Sequence, residues 1–440
     1  MPAPDRLLHS SFACECGQTH TVPVKEVVYS DDAYHRLADA VMRESAGREI
    51  VLLADKRTYA LAGTAVEQCL ADAGFDVRVV VVPDGRHGSP VCDDRTYALL
   101  NNDIPAVDFF VAVGSGVIND LTKWLAFERD KGYVIAATAA SMNGYTAANV
   151  APTLAGVKAL VRARAPLGVY AVPSVIESAP YELTASGFGD LQAKCISVTD
   201  WKMNSIVFGD HFCPFCAEII SSIEPLYADH PEGVRNRNPE SIKAVFDALI
   251  YSGLAMTLIG TSSPASGGEH LFSHTLDMMS AVDGQPHDLH GRQVGLGTLV
   301  AGELYKRVLS LANPVVHGIP LESSASFWGP VAAAVEEQYS AKCEKYQRLA
   351  EIVEQEKQWQ DLIAQLRPYT VSPAVIADRL ERAGAARYLP DIGCSHARAK
   401  QALLHMHEIR TRFTIVDLAW LTGVMPGAAD EILEQWLENG

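Results

Sequence analysis

Apolar and polar positions change rhythm twice along the 440-residue chain. Near the start, FACECGQTHTVPVKEVV ends in alternating apolar and polar residues, the period of a half-exposed strand, and reads as one arm of a hairpin. From about residue 33 the period becomes helical in AYHRLADAVMRES. REIVLLAD (48–55) is then a continuous apolar run ending in an acid, the mark of a strand buried on both faces. The alternation continues with a helix over 58–74, a strand over 76–84, a strand over 106–116, a helix over 117–130 and a strand over 133–141. Strand–helix repeats of this length predict βαβ units and a parallel sheet covered on both faces.

Beyond about residue 175 strand signals give way to apolar residues at i, i+3 and i+4 over 239–260, 268–280, 289–312, 323–366, 373–383 and 396–424. Pro173 and Pro180 interrupt either period and mark the boundary. The expectation is an α/β domain over 1–178, with an N-terminal hairpin, followed by an all-α domain over 179–440. The charged stretch 335–358 reads as the wet face of one or two long helices.

Composition narrows the partners. Asp and Glu number 53 against 36 Lys and Arg, a formal net charge of −17. That balance argues against nucleic acid or an anionic membrane, since both require basic patches. An anionic substrate must therefore meet local cations or a metal. No run of 18 apolar residues predicts a transmembrane helix, and the first residues lack the apolar stretch of a secretory signal. Nine cysteines, an odd number in a chain of this size, read as thiols of a cytoplasmic protein. Cys14, Cys16 and His20 have the spacing C-x-C-x3-H without a second pair, so a hairpin rim is expected there rather than a metal site. Cys213 and Cys216 lie in a helical context and are expected to be plain thiols. His287, His396, His405 and His407 have no informative partner spacing.

Two features at the ends of predicted strands carry chemistry. GSGVIND (114–120) joins an apolar strand to a helix. Its glycines allow a phosphate to approach the backbone, and the first helical amides and the dipole favour its charge. It is neither G-x-G-x-x-G nor a Walker A loop, and a ligand-free tight turn is as common. TAASMNGYT (138–146) follows the next strand and brings hydroxyls and amides to the same carboxyl edge, where open α/β sheets bind ligands. Asp55 ends its strand as a ribose-binding acid would, or as a helix cap. Lys56 beside it would tolerate a 2′-phosphate, which leaves NAD and NADP both open.

In the helical half, His270 and His274 stand at i, i+4 on one helix face. His290 begins another helix, and Asp190 follows the Gly-Phe-Gly of GFGDLQAK. An acid and two or three imidazoles from three helices suit zinc, nickel or iron(II), and three protein ligands leave the open position that catalysis needs. Paired histidines on a helix are also common by chance.

GSGVINDLTKW, TAASMNGYT, SGFGDLQAK, ASGGEHLFSH and LHGRQVGLGTL, in this order, resemble the sn-glycerol-1-phosphate dehydrogenase family. That family belongs to the superfamily of glycerol dehydrogenase, iron-type alcohol dehydrogenases and dehydroquinate synthase. The resemblance runs from about residue 12 to about 425, with IRTRFTIVDLAWLTG matching the closing helix. It implies a dehydroquinate synthase-like fold and a metal-dependent, NAD(P)-linked oxidoreductase acting on dihydroxyacetone phosphate and sn-glycerol 1-phosphate or a close relative. It implies a dinucleotide site at Gly114, Ser115, Gly116, Val117, Ile118, Thr138, Ala139, Ala140 and Ser141, to which the strand-end position of Asp55 adds a candidate ribose acid. Asp190, His270 and His290 are implied as ligands of one divalent metal, zinc before nickel or iron. With His274 they form the catalytic set, and Asn143, Asp190 and His274 meet the substrate. The chain departs from the family pattern at Asn143, where an aspartate is usual, and at Ala147, where a dinucleotide-contacting serine is usual. An amide can hydrogen-bond a hydroxyl but cannot act as a base. By position, Lys194, Lys158 and Arg292 are candidates for a substrate phosphate. A small phosphorylated polyol or ketone is the expected partner, and a homo-oligomer, in the simplest case a dimer, the expected assembly. A cyclase of the dehydroquinate synthase type, with no net reduction of NAD, and a non-catalytic relative are the competing readings.

Overall fold

A computed structural model describes residues 7–438; residues 1–6, the start of the segment read above for a secretory signal, lie outside it. Two compact units interleave along the sequence. The first takes the chain up to Gly187 together with Glu218–Thr261, and the second takes Phe188–Ala217 together with the chain from Ser262 onward. The expected division is a single cut after residue 178.

The first unit opens with a hairpin, β1 (Ser11–Ala13) against β2 (Thr19–Thr21). Pro23 follows and cannot donate to a ladder, so the alternating segment is split and β3 (Glu26–Tyr29) starts afresh as the edge of a different sheet. That sheet also holds β4 (Glu49–Asp55), β5 (Asp76–Val82), β6 (Phe109–Gly114) and β7 (Gly132–Ala137). Short antiparallel pairs follow: β8 (Asn149–Val150) with β11 (Val161–Arg162), and β9 (Thr153–Leu154) with β10 (Val157–Lys158). The last strand, β12 (Gly168–Ala171), inserts between β3 and β7 and is too short to show a period in the sequence.

The six-stranded sheet has the order β3-β12-β7-β6-β4-β5, parallel throughout. Leu52, Val111, Val113 and Val134 are wholly buried within it, which is why these strands carry unbroken apolar runs. Helices α1 (Ala33–Glu44), α2 (Thr64–Asp72), α3 (Asp94–Asp103) and α4 (Gly116–Glu128) supply the crossovers. On α1 the buried residues Tyr34, Leu37, Ala38 and Val41 repeat at helical spacing. The chain order reverses between β4 and β6, so their carboxyl ends flank a switch point.

Later in the chain come α5 (Tyr181–Gln192), α6 (Lys194–Phe208), α7 (Pro239–Ile259), α8 (Gly268–Asp283) and α9 (His290–Val308). Among the described residues α7 is the one helix long and apolar enough by length and composition to cross a membrane. It belongs to the first unit, and 72% of its apolar window is buried, as for a core helix. The charged stretch 335–358 spans three helices rather than one or two, Ala332–Cys343, Tyr346–Glu354 and Glu356–Leu366. It is not a wet face throughout, because Val335, Tyr339 and Lys342 are buried and Lys342 pairs with Asp417 at 2.9 Å.

Within the second unit, α8 and α9 meet backbone to backbone. A Cβ at Gly297 would lie 2.2 Å from the Glu269 carbonyl oxygen, and one at Gly189 would lie 2.2 Å from that of Gly291. Neither neighbour is a flexible side-chain end, so relief requires moving a helix. Gly297→Ala is expected to destabilise the protein by about 1–3 kcal/mol, read as a lower denaturant midpoint at unchanged slope. An unaltered midpoint would mean that the helices are not held at this separation.

Candidate active site

At the carboxyl edge of the sheet, the β6–α4 turn is built for close approach. A Cβ on Gly114 would meet Ile118 Cβ at 2.7 Å, so glycine lets the strand end and the helix start pack together. Asn119 is the first residue of α4 whose amide reaches back, to the Ser115 carbonyl at 2.9 Å. The amides of Gly116, Val117 and Ile118 therefore belong to the unsatisfied first turn and suit an anion. Gly116 also has a packing role, since a Cβ there would lie 3.2 Å from Met142 Cγ. The second predicted segment is adjacent, with the Thr138 amide donating to the Gly114 carbonyl at 3.1 Å. Thr138, Ala139, Ala140 and Ser141 are all buried.

Asp55 lies at the end of β4, across the switch point from Gly114. Its Oδ1 accepts the Arg57 and Thr58 amides at 2.8 and 3.3 Å, and Oδ2 accepts the Thr58 hydroxyl at 3.2 Å. The carboxylate thus caps the next turn, the structural alternative weighed from the sequence. Lys56 pairs with Asp84 at 2.7 Å. Sequence reading missed Lys123. Its fully buried ammonium donates to the carbonyls of Gly144 and Asn149 at 2.9 and 3.0 Å and lies 3.3 Å from Asp120, pinning the loop that carries Asn143. Burial lowers its pKa, against the pull of Asp120. Ala147 is buried in the same loop.

In the second unit, Asp190, His270 and His290 each offer a ligand atom, and these atoms lie within 4.8 Å of one another. Asp190 sits near the end of α5, His270 in the first turn of α8 and His290 at the start of α9. Both imidazoles are oriented from behind. His270 Nδ1 is 2.7 Å from Glu269 Oε1, and His290 Nδ1 is 3.0 Å from Ser273 Oγ, which in turn donates to Gln293 at 3.1 Å. With Nδ1 engaged, His270 turns Nε2 toward Asp190 Oδ1 at 3.6 Å. A carboxylate or hydroxyl behind each imidazole is how ligating histidines have their ring orientation and tautomer fixed.

The charges are arranged to keep Asp190 ionised. Burial alone pushes its carboxyl upward, but Lys194, the His270 hydrogen bond and His290 outweigh it and hold the group well below the ordinary carboxylate range. Burial pulls the His270 imidazole down, while Asp190 and Glu269 pull it further up, so the net shift is upward. Lys194 is not available for a substrate phosphate as anticipated: it donates to the Asp190 and Ala265 carbonyls and lies 3.6 Å from Asp190 Oδ1. Arg292 is tied to Asp288 at 2.7 Å and to the Asp391 carbonyl. Lys158 is on β10 in the first unit.

His274 is brought into the same cluster, its ring centroid 5.6 Å from His290 and 5.8 Å from His270. Arg410 Nη2 lies 3.3 Å from His274 Nδ1. Arginine can only donate, so Nδ1 is the acceptor and Nε2 bears the proton. Burial and the neighbouring Arg412 lower the Arg410 pKa to about 10, which leaves it charged at neutral pH. Arg412 donates to the Ser266 carbonyl and the Ser262 hydroxyl at 2.7 and 3.3 Å. These two arginines place positive charge beside His274 in a chain of net charge −17. The signal was present in IRTR (409–412), but nothing in the sequence linked it to His274, 136 residues away. Asp200 was also missed. It accepts from the Tyr305 hydroxyl and the Ile415 and Gly268 amides at 2.5, 2.8 and 2.7 Å. Burial and the charge of Glu269 push its carboxyl up to about 8.

The family described as iron-containing alcohol dehydrogenase matches residues 28–180. The Bacillus subtilis (strain 168) protein named glycerol-1-phosphate dehydrogenase (NAD(P)+) is 28% identical over 90% of this chain and 91% of its own length. The Halalkalibacterium halodurans protein of that name is 32% identical over 67% of this chain and 74% of its own. The one from Pyrococcus furiosus is 31% identical over 64% and 78%. Among solved structures, glycerol dehydrogenase from Schizosaccharomyces pombe aligns with a TM-score of 0.60 at 16% identity, covering 94% of this chain and 91% of its own. The iron-containing alcohol dehydrogenase from Thermotoga maritima aligns with 0.59 at 12%, covering 94% and 99%. At these identities the structures share the fold.

Two outcomes are expected. His270→Ala and His290→Ala each lose bound divalent metal by elemental analysis while far-ultraviolet circular dichroism is unchanged, and Glu269→Gln weakens metal binding about 10–100-fold; full metal content in His270→Ala would refute the ligand set. The raised Asp200 value means that its contribution to stability is present below its ordinary value of 3.8 and is lost as pH rises toward 8. The metal-free protein should therefore lose denaturant resistance across that window, and Asp200→Asn should flatten the profile.

Proposed function

The chain belongs to the glycerol-1-phosphate dehydrogenase family, and we propose that it interconverts dihydroxyacetone phosphate and sn-glycerol 1-phosphate as a metal-dependent, NAD(P)-linked oxidoreductase. The convergence of Asp190, His270 and His290 carries this reading, because three ligands with an open position are what a catalytic metal requires. The donors fit a divalent cation: one ionised carboxylate and two imidazoles held through Nδ1. Zinc suits this set first, with nickel and iron(II) behind it. When bound, the metal supplies Lewis acidity at the substrate oxygen and NAD or NADP supplies or takes the hydride.

The remaining work falls to the chain's own groups. The first-turn amides of α4 would cradle the dinucleotide pyrophosphate. His274 presents Nε2–H as a hydrogen-bond donor and would hold or pass the proton at the reacting oxygen. Asn143 cannot exchange a proton at neutral pH, so that role concentrates on His274. Arg410, charged and beside His274, would take the substrate phosphate. The reading includes a cytoplasmic location, which suits nine thiols, and a homo-oligomer, in the simplest case a dimer.

The direct test is consumption of NADH or NADPH with dihydroxyacetone phosphate in the presence of zinc, nickel or iron(II). Net cofactor oxidation is expected, which a cyclase using the cofactor transiently would not give; no consumption with any combination would end the proposal. Arg410→Gln should raise KM for the phosphorylated ketone about 10–100-fold, the loss of one charged hydrogen bond, and raise KM for unphosphorylated dihydroxyacetone far less, any change in kcat through His274 being common to both substrates. An equal loss on both substrates would remove Arg410 from phosphate recognition.

A further inference from the structure

The hairpin contains a second set of metal-ligand atoms, in the first unit and separate from Asp190, His270 and His290. The β1–β2 ladder pairs Phe12 with His20, and the connection Cys14–Gln18 is closed by the Cys14 amide on the Gln18 carbonyl at 2.9 Å and the Gly17 amide on the Cys14 carbonyl at 3.0 Å. Gly17 has φ +86°, a left-handed backbone that a side chain would strain, and it tightens the turn enough to bring both cysteines toward β2. As a result, Cys14, Cys16 and His20 offer two sulfurs and a ring nitrogen within 4.8 Å of one another.

The histidine distinguishes this cluster from a chance grouping of thiols. His20 is buried, with 1% of its surface exposed, on a hairpin whose neighbouring residues Thr19 and Thr21 face water. Its Nδ1 lies 2.8 Å from the Leu258 carbonyl at the end of α7. A carbonyl only accepts, so Nδ1 carries the proton and Nε2 presents its lone pair. That lone pair faces Cys16 Sγ at 3.3 Å. An imidazole held by Nδ1–H on a backbone carbonyl, with Nε2 turned toward sulfur, has the tautomer and orientation of a ligating histidine.

We propose that Cys14, Cys16 and His20 bind a divalent metal of the zinc class, as a structural site distinct from the catalytic one. Two soft thiolates and an imidazole select zinc over the hard cations, and the fourth position of the tetrahedron is left to a water or a further thiolate of the chain. Binding releases the two thiol protons to solvent and changes no oxidation state. The metal would fix the turn, and through His20 it would tie the hairpin to α7. The C-x-C-x3-H spacing, read from the sequence as a hairpin rim, thus acquires a role once Leu258 fixes the histidine tautomer.

The experiment uses the full-length protein loaded with zinc and then with cobalt(II). Elemental analysis should give two metal equivalents per chain, and the cobalt form should show near-ultraviolet thiolate-to-cobalt charge transfer, which a carboxylate–imidazole site cannot produce. Cys14→Ser and Cys16→Ser should each lose the thiolate band and one equivalent while keeping the metal held by Asp190, His270 and His290. His270→Ala should do the reverse, retaining the band. Replacing each remaining cysteine in turn identifies a fourth thiolate if there is one. A single equivalent with no thiolate band in the wild-type chain would overturn the proposal, as would a band that survives both cysteine replacements. Neither result would bear on the dehydrogenase reading, which rests on other residues.

Discussion

Buried charge is the constraint around which the helical unit is organised. Asp190, Glu269 and Asp200 are fully out of water, and an isolated carboxylate in that position would neutralise itself or destabilise the fold by several kcal/mol. Each is answered differently. Asp190 is held ionised by Lys194 and two imidazoles. Glu269 accepts from the Gly267 amide and braces His270. Asp200, surrounded by three donors yet close to the charge of Glu269, has its pKa pushed up. A divalent cation at Asp190, His270 and His290 would complete the same balance, so the requirements of stability and of metal binding coincide. The backbone contacts at Gly189 and Gly297 allow the helices to approach closely enough for this to happen.

The two units offer different groups because one ends in strand–helix turns and the other in packed helices. A parallel sheet ends in turns where backbone amides and small side chains face outward, which suits phosphate and ribose. Past their first and last turns, helices use up their own backbone groups and offer only side chains, which suits metal ligation and proton handling. Gly114, Gly116 and Thr138 lie at strand ends or in the turns that follow, whereas Asp190, His270, His274 and His290 are side chains projecting from helices.

Much of this was legible. Continuous apolar runs gave β4, β6 and β7 because a strand buried on both faces has no polar positions to interrupt it. The i, i+4 spacing of His270 and His274 placed them on one face of a helix whatever surrounded it. What was not legible depended on long-range contacts. β12 is four residues long and declares itself only by pairing with β3 and β7. Asp55 fits a ribose acid or a helix cap from the sequence alone, and only the fold shows its carboxylate accepting the amides of Arg57 and Thr58. Lys194, a phosphate candidate by position, is the counter-charge of Asp190. Arg410 and Lys123 were passed over because their partners, His274 and the loop around Gly144, are neighbours only in three dimensions.

Local pattern and composition determined which segments become strands and helices and which residues carry chemistry, because hydrophobic period and side-chain type act over a few residues. Tertiary structure alone decided which of those residues meet, which nitrogen of each histidine is held, and whether a given charge is spent on the fold or left for a ligand. Those outcomes depend on distances between elements, and such distances are set by packing, which a linear order of residues does not contain.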